Sequence, residues 1–175
     1  VATLDPRGMA LAGDHLFLAD GIGGLKVFDV SEPARIRSVG ALPMFDARDV
    51  HVQWPYAYVA DGPGGLAVAD VRAPAAPRFV SALDLNLADA GPNQAIEVTT
   101  LFQNSRPQAT RGSPLDERTP TRLVAAVLDA EQGLYLVDVT EPTRPSILFP
   151  SAGFLASDRS RGGRGRRGND RVVYR

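Results

Sequence analysis

The chain has 175 residues, 44% of them apolar, which is enough for one ordinary domain with a buried core. It has no cysteine, which excludes disulfides, thiolate zinc sites, cysteine nucleophiles and cysteine-attached haem. Residues 159–175 hold seven Arg and one Asp, whereas residues 1–158 hold twelve basic and nineteen acidic residues. A basic stretch on an acidic body predicts a contact segment or an intramolecular neutraliser.

Residues 1–156 divide into units of four short strands, each bounded by Gly and Pro turns. In unit one, approximately 8–48, the pattern predicts strands over 8–12, 16–19, 25–30 and 36–41. In unit two, approximately 49–93, apolar and polar residues alternate over 50–53, as in a half-buried strand. Aromatic and β-branched residues then favour strands over 56–60, 66–70 and 78–83. The only helix candidate, 85–90, is short and is followed by Gly-Pro.

Unit three, approximately 94–156, is interrupted. It starts near 94–98, where we align Ile96 and Val98 with Val50 and Val52, so that Glu97 takes the place of His51. Residues 103–121 are polar and rich in Pro, and we expect them to form an exposed insertion. Strands resume over 123–128 and 134–139.

A thirteen-residue phrase marks each unit, at residues 18–30, 59–71 and 127–139. A period of 41 residues built from short strands and Gly turns is typical of β-propeller blades, so we expect an all-β fold with about three four-stranded blades. Closed propellers have typically four to eight blades. Three blades therefore belong to a larger propeller, an open stack, or a ring that another chain completes.

The C-terminal residues have a different composition. Residues 157–171 are rich in Arg and Gly and are expected to be flexible in isolation. Residues 172–175 are expected to start a further strand. Because the chain begins at Val1 without Met, we expect it to be a piece of a longer or processed protein.

The phrase resembles the LVIVD repeat family. The resemblance rests on the third-strand cores Leu25-Lys-Val-Phe-Asp29, Leu66-Ala-Val-Ala-Asp70 and Leu134-Tyr-Leu-Val-Asp138, on the Asp-Gly-x-Gly-Gly turn before the first two and on the Val-x-x-Pro exit after all three. The third copy departs from the pattern, because Glu131 and Gln132 replace the third residue of the turn and the first Gly of the pair and the insertion splits the unit. It covers residues 8–85 well and 94–150 in part. It implies a β-propeller in a bacterial or archaeal cell-surface or exported protein, and it supplies no catalytic residues.

The turn before each third strand carries an Asp: Asp20, Asp61 and Asp129. Their carboxylates could form a ring or hold calcium, but a calcium site needs six to eight oxygens and each turn has one carboxylate. The favoured interpretation is a structural hairpin turn with local hydrogen bonds. Its members are Asp20, Gly21, Gly24, Asp61, Gly62, Gly65 and Gly133. We predict no catalytic residues, no metal ligands and no cofactor.

Other polar residues repeat less well. Asp29, Asp70 and Asp138 end the third strands, where an Asp caps the following turn or bonds the next blade. The two histidines, His15 and His51, fall at different places in their units and form no repeated site. His51 lies in a first strand, which in a propeller lines the central channel, and is best explained as a hydrogen-bonded structural residue.

Two groups of residues are candidates for contact with a partner. Trp54, Tyr56 and Tyr58 are expected to form one aromatic cluster, with Tyr56 and Tyr58 on one face of a strand, and they suit either blade packing or an interface. The Arg/Gly run offers Arg161, Arg164, Arg166 and Arg167. Nucleic acid is disfavoured because the body is acidic and no aromatic interleaves the run, whereas Arg pairs well with protein carboxylates.

The sequence thus favours a non-catalytic propeller segment that serves as a protein–protein interaction scaffold at the cell surface or in the periplasm. Its partners would be other proteins, a larger assembly or the remaining blades, without nucleic acid and without a membrane span. One alternative is an accessory structural subunit that docks on an extracytoplasmic redox complex of the cytochrome type. Another is a propeller enzyme whose catalytic residues lie mostly in missing blades, with His51 or Glu97 in the channel.

Overall fold

The computed structural model describes residues 2–86, 94–104 and 121–149, with side chains left undescribed for residues 102–104 and 121. These residues form twelve strands: β1 Met9–Ala12, β2 His15–Ala19, β3 Leu25–Asp29, β4 Arg37–Leu42, β5 Asp49–Gln53, β6 Tyr56–Ala60, β7 Leu66–Asp70, β8 Arg78–Leu83, β9 Ala95–Asn104, β10 Thr121–Asp129, β11 Gly133–Asp138 and β12 Ser146–Phe149. A single 3-10 turn lies at Pro33–Arg35. Across the described ranges, no helix is long and apolar enough to cross a membrane.

The strands form three separate four-stranded antiparallel sheets in chain order, β1–β4, β5–β8 and β9–β12. We call them blades 1, 2 and 3. Each blade has a register shift between its third and fourth strands at the same place, after Val27, Val68 and Leu136. The predicted all-β fold with three propeller-like blades is thereby confirmed.

Both faces of blade 2 are covered by its neighbours. Ala57, Val59, Ala67 and Ala69 share a buried cluster with Phe17, Ala19, Leu25 and Val27 of blade 1. The alternate residues Tyr58, Ala60, Leu66 and Val68 share a second cluster with Ala125, Val127, Tyr135 and Val137 of blade 3. Because side chains alternate along a strand, β6 and β7 supply apolar residues to both interfaces at once.

Polar contacts repeat between the blades. The Ser81 hydroxyl of β8 donates to the carbonyl of Pro142 in blade 3 at 2.6 Å. At the equivalent place in blade 1, a Cβ on Gly40 would lie 2.2 Å from the carbonyl of Pro74. The prolines that follow the third strands of blades 2 and 3 therefore pack against the outer strand of the preceding blade, a role that the sequence pattern did not suggest.

Unit three differs from our alignment. Val98 pairs with Val127, whereas Val50 pairs with Val59, and the β9–β10 ladder contains a register shift beside Asp129. Val98 therefore occupies the place of Val50, and the alignment of Ile96 with Val50 was wrong. Glu97 accordingly lies at the position of Asp49, not at that of His51. The predicted alignment is displaced by two residues, and a displacement of two keeps every side chain on its face, so period-two alternation cannot detect it.

The insertion is also shorter than predicted, because the flanking strands extend into both of its ends. Strand β9 continues to Asn104 and β10 begins at Thr121, so residues 103, 104 and 121 belong to strands. The rest of the predicted insertion lies outside the described residues, as do the greater part of the helix candidate 85–90, the segment 157–171 and the strand start at 172–175. Leu85 and Asn86 are not helical.

Leu66→Ala should lower the free energy of unfolding by about 2–5 kcal/mol, because Leu66 is fully buried between blades 2 and 3 and its truncation leaves a cavity. Urea unfolding monitored by circular dichroism measures the change. The control is Ile22→Ala, which truncates a side chain that is 76% exposed and should cost less than about 0.5 kcal/mol. Equal losses in the two variants would contradict the packing between the blades.

Candidate functional site

The three Asp-bearing turns lie at one end of the stacked blades, and we call this end the turn face (residues 20–24, 61–65 and 129–133, with the lead-in segments 4–7, 44–48 and 94). The turn carboxylates are almost fully buried, with Asp20 0%, Asp61 3% and Asp129 4% exposed. A buried carboxylate is costly unless several donors satisfy it. The hydrogen bonds that these three carboxylates accept therefore determine the structure of the turn face.

Each turn carboxylate binds backbone amides of the segment that leads into its own blade. Asp20 accepts from the amides of Leu4 and Asp5, both at 2.8 Å. The equivalent donors to Asp61 are the amides of Phe45 at 3.2 Å and Asp46 at 2.8 Å. In blade 3, the amide of Gln94 donates to Asp129 at 2.6 Å. These carboxylates fix the path of the chain as it enters each blade.

The local hydrogen bonds that the sequence predicted were only partly correct. Asp129 does accept from the nearby amides of Glu131 and Gln132. The bonds of Asp20 and Asp61 instead run 15 or 16 residues back along the chain. Amide hydrogens that point at the carboxylate oxygens occupy positions that a cation would need. Within the described residues, no three His, Asp or Glu side chains are grouped so as to hold a metal ion.

Two glycines of the first turn are required, one by the Asp20 carboxylate and one by the backbone. At Gly23, a Cβ would lie 2.4 Å from the Asp20 Oδ2 atom, so a side chain would displace the carboxylate. At Gly24, φ is +75° and a Cβ would lie 2.3 Å from the backbone carbonyl of Leu42. Among the predicted turn residues, Gly21, Gly62, Gly65 and Gly133 also have positive φ. Only glycine adopts this region without strain.

Blade 1 and blade 2 differ in how the buried charge is balanced. The Lys26 ammonium lies 2.6 Å from the Asp20 Oδ2 atom, and the equivalent position in blade 2 is the buried Ala67. Burial raises the pKa of Asp20, but the hydrogen bonds from Lys26 and from the amides of Leu4 and Asp5 outweigh it, and the pKa is lowered. For Asp61, burial prevails over the amides of Asp46 and Phe45, and the pKa is raised.

A ladder of charged side chains runs between the blades next to these turns. Arg7 contacts Asp5 at 2.6 Å and Asp46 of blade 2 at 3.4 Å. Arg48 repeats the arrangement, with Asp46 at 2.7 Å and Gln94 of blade 3 at 2.8 Å. Sequence analysis missed this ladder, although Asp-x-Arg recurs at 5–7 and 46–48 with the 41-residue period.

Large apolar side chains stand above this charged and hydrogen-bonded layer. Leu4 is 69%, Ile22 76% and Phe45 75% exposed, and we call these three the apolar row. Their backbone is held on both sides: the amides of Leu4 and Phe45 donate to Asp20 and Asp61. Gly21, next to Ile22, forms a bridge with Ala47 of blade 2 through bonds of 2.8 and 2.9 Å. The row is thus presented on a rigid support that spans two blades.

The predicted aromatic cluster does not form as one group. Trp54 is 55% exposed at the opposite end of the blades and lines a shallow groove of about 450 Å³ with Ala12, Gly13, Asp14, His15 and Pro74. Tyr56 instead packs with Tyr58 against the cluster between blades 2 and 3, which confirms that these two share a face. The guanidinium of Arg72 lies 5.7 Å from the Tyr56 ring centre and donates to its hydroxyl. Trp54 was misplaced because it belongs to the turn before β6, where strand alternation does not apply.

The remaining candidate residues are turn caps, strand residues or residues outside the described ranges. The carboxylates of Asp29, Asp70 and Asp138 each accept the amide two residues later at 3.0 Å, as expected for caps of the following turn. His51 is half-buried opposite Tyr58 in the β5–β6 ladder, and Glu97 lies opposite Leu128. Arg161, Arg164, Arg166 and Arg167 lie outside the described residues.

Gly24→Val should destabilise the protein by about 2 kcal/mol or more, since a strained φ costs about 1–3 kcal/mol and the side chain would also meet the Leu42 carbonyl. The matched control is Gly133→Val, because φ is also positive there but nothing lies within 4 Å of a Cβ. Differential scanning calorimetry should give the larger fall in Tm for Gly24→Val. The reverse order would contradict this account of the turn.

Lys26→Met should shift acid unfolding to higher pH. Because the folded pKa of Asp20 is lowered, its carboxylate contributes stability that is present above the unfolded value of 3.8 and is lost as the pH falls through the folded pKa. Removal of the ammonium raises that folded pKa, so the loss begins at higher pH. An acid titration followed by circular dichroism gives the midpoint.

Arg37→Met serves as the control for this titration. The pKa of Asp29 is lowered to about 2 mainly by the hydroxyl and amide of Ser31, and Arg37 contributes less. The acid midpoint should therefore change little in this variant. An unchanged midpoint in Lys26→Met would show that the ion pair is not formed in solution.

Comparison with known proteins agrees with this architecture. Residues 5–41 and 46–84 match the family model of the LVIVD repeat, and each match spans one complete blade with its lead-in segment. No curated protein matches the chain. Blade 3 lies beyond the matched residues but has the same four-stranded sheet and the same buried turn carboxylate. Residues 5–84 therefore carry two LVIVD repeats, and the described residues form propeller-like blades.

Proposed function

We propose that this protein is a non-catalytic interaction scaffold that binds another protein through its turn face. The observation that carries the proposal is the apolar row: Leu4, Ile22 and Phe45 are each at least 69% exposed, while the backbone beneath them is fixed by buried hydrogen bonds. Exposed apolar groups on a rigid support are typical of protein contact sites. A preorganised surface also loses little entropy on binding.

The chemistry around the row suits a protein partner. Protein interfaces combine an apolar centre with a polar rim, and arginine and aromatic residues are enriched in them. Here the ladder of Arg7, Asp46 and Arg48 forms such a rim beside Phe45. These arginines already contact carboxylates, so they offer little free positive charge to nucleic-acid phosphates.

The proposed location is the cell surface or the periplasm. This part of the proposal is supported by the LVIVD repeats, which imply an exported protein by family resemblance. In such a setting, the partner would be a component of a larger extracytoplasmic assembly. A cytochrome-type partner would make the protein an accessory subunit of that complex. Identification of the bound partner would distinguish this accessory role from that of a general scaffold.

Ile22→Ser combined with Phe45→Ser should abolish capture of the specific partner. The tagged full chain is expressed in its native host, cross-linked in intact cells and purified, and captured proteins are quantified by mass spectrometry. The expected result is at least a tenfold loss of one or a few proteins, because central apolar anchors carry most of an interface's binding energy.

The matched control is Phe79→Ser, which removes a side chain that is 56% exposed on β8 at the outer edge of blade 2. It should capture the same proteins as the wild type. Equal capture by the double variant and the wild type would contradict the role of the turn face. Circular dichroism spectra and melting curves of both variants exclude loss of fold as the cause.

A further inference from the structure

The two outer sheet faces of the stack carry apolar residues at the same strand positions that form the interfaces between the blades. We call the side of a blade toward the preceding blade its leading face, and the side toward the following blade its trailing face. In blade 2, the leading face contains Val50, Ala57 and Val59, and blade 1 covers it. The trailing face contains Tyr58, Ala60 and Leu66, and blade 3 covers it. Within the described residues, the same alternation leaves the leading face of blade 1 and the trailing face of blade 3 without a neighbouring blade.

The uncovered leading face belongs to blade 1. Its cross-strand pairs are Met9 with Leu18 and Leu11 with Leu16, and Leu16 in turn pairs with Phe28. Met9 is 68% exposed, whereas Val50 at the same position of blade 2 is 3% exposed. Leu11 is also 68% exposed, and its counterpart Val52 packs against the cluster between blades 1 and 2. Met9 and Leu11 therefore have the character of interface residues, but no described blade covers them.

The uncovered trailing face belongs to blade 3. Leu134 is 43% exposed, and its counterpart Leu66 is fully buried. Leu128 is 38% exposed at the position of Ala60, which is also fully buried. Leu128 and Leu134 are direct partners in the β10–β11 ladder, so they form one continuous apolar surface. Both ends of the stack therefore expose apolar sheet faces. One is a leading face and the other a trailing face, and these are the two types of face that pack together inside the stack.

We propose that a second copy of this chain covers both faces, with the trailing face of each blade 3 packed on the leading face of the other copy's blade 1. A second copy is the expected cover because it would continue the packing of trailing face on leading face that already joins blade 1 to blade 2 and blade 2 to blade 3. Two copies related by a twofold axis form two such junctions and bring together six blades, within the range of closed propellers. A contact between unlike faces must close into a ring or continue as a filament.

The new junction differs from the existing ones in two places. Phe149 occupies the position of Ser81, so the hydrogen bond from Ser81 to Pro142 is not repeated. Lys26 occupies the position of Ala67, but its ammonium is directed to Asp20 at the turn face. The junction therefore depends on apolar contact, and we expect the dimer to dissociate on dilution more readily than the blades separate.

The test is the mass of the full chain in solution, measured by light scattering or sedimentation over a concentration series. The wild type should reach twice the 18.6 kDa chain mass. Leu11→Glu on the leading face and Leu134→Glu on the trailing face should each weaken self-association on the order of 100-fold or more, because each places an unpaired charge in both junctions. Both sites are exposed in the single chain, so the fold should be retained.

Mixing the two variants provides the decisive step. A pair made of one Leu11→Glu chain and one Leu134→Glu chain has one junction with no substitution, so the equimolar mixture should recover dimer that neither variant forms alone. Met9→Glu and Leu128→Glu form a second pair if either first variant fails to fold. Phe79→Glu, at the outer edge of blade 2, should keep the wild-type mass.

Three outcomes would overturn the proposal. A wild type that stays monomeric at all concentrations would show that something other than a second copy covers the end faces, such as residues 150–175 or further blades. Variants that remain dimeric would place the contact elsewhere. A mixture without recovery would indicate like faces in contact. The proposal does not rest on the turn face as a binding site, since neither Leu11 nor Leu134 lies on it.

Discussion

A four-stranded sheet with two apolar faces is stable in water only between two other sheets, and this constraint governs the whole molecule. Blade 2 satisfies it through Val59 toward blade 1 and Val68 toward blade 3, both fully buried. The strands are too short to bury such residues within one blade. Stability therefore resides in the interfaces between blades, as in other repeat proteins, where each unit depends on its neighbours. The end blades carry the same alternation and so carry the same requirement for a cover.

The second constraint is the buried carboxylate in each turn. Sheets that pack only through apolar faces can slide, whereas a carboxylate that accepts two backbone amides fixes the chain at one position. Asp20 and Asp61 do this with almost the same geometry, yet their pKa values move in opposite directions. Burial raises both pKa values, and the hydrogen bond from Lys26 is the largest contribution that lowers the pKa of Asp20, whereas its counterpart in blade 2 is the buried Ala67. The residue at this one strand position thus contributes to how the buried charge is balanced.

Most of the fold was predictable from the sequence because its period is regular. Strands β6, β7 and β8 have the predicted bounds, since alternation and turn residues agree there. The alignment of Ile96 failed because it is displaced by two residues, a shift that leaves the apolar alternation unchanged. The site was predicted less well. The turn aspartates were found, but the amide partners of Asp20 and Asp61 lie 15 or 16 residues away, and local turn chemistry gives no sign of them. The apolar row was missed because an exposed Phe45 and a buried one look the same in sequence.

The turn of unit three differs in sequence from the other two turns, and a contact between Gln132 and Tyr135 explains part of the difference. Gln132 stands where the other units have Gly23 and Gly64, and Tyr135 stands where they have Lys26 and Ala67. The Tyr135 hydroxyl donates to the Gln132 Oε1 atom, so the two departures are parts of one contact. Tyr135 is fully buried toward blade 2, and Gln132 gives its hydroxyl an acceptor that a glycine would lack. Asp129 keeps its role because the amides of Glu131 and Gln132 bond it, whatever their side chains. The loss of the glycine at position 132 is therefore coupled to the change at position 135.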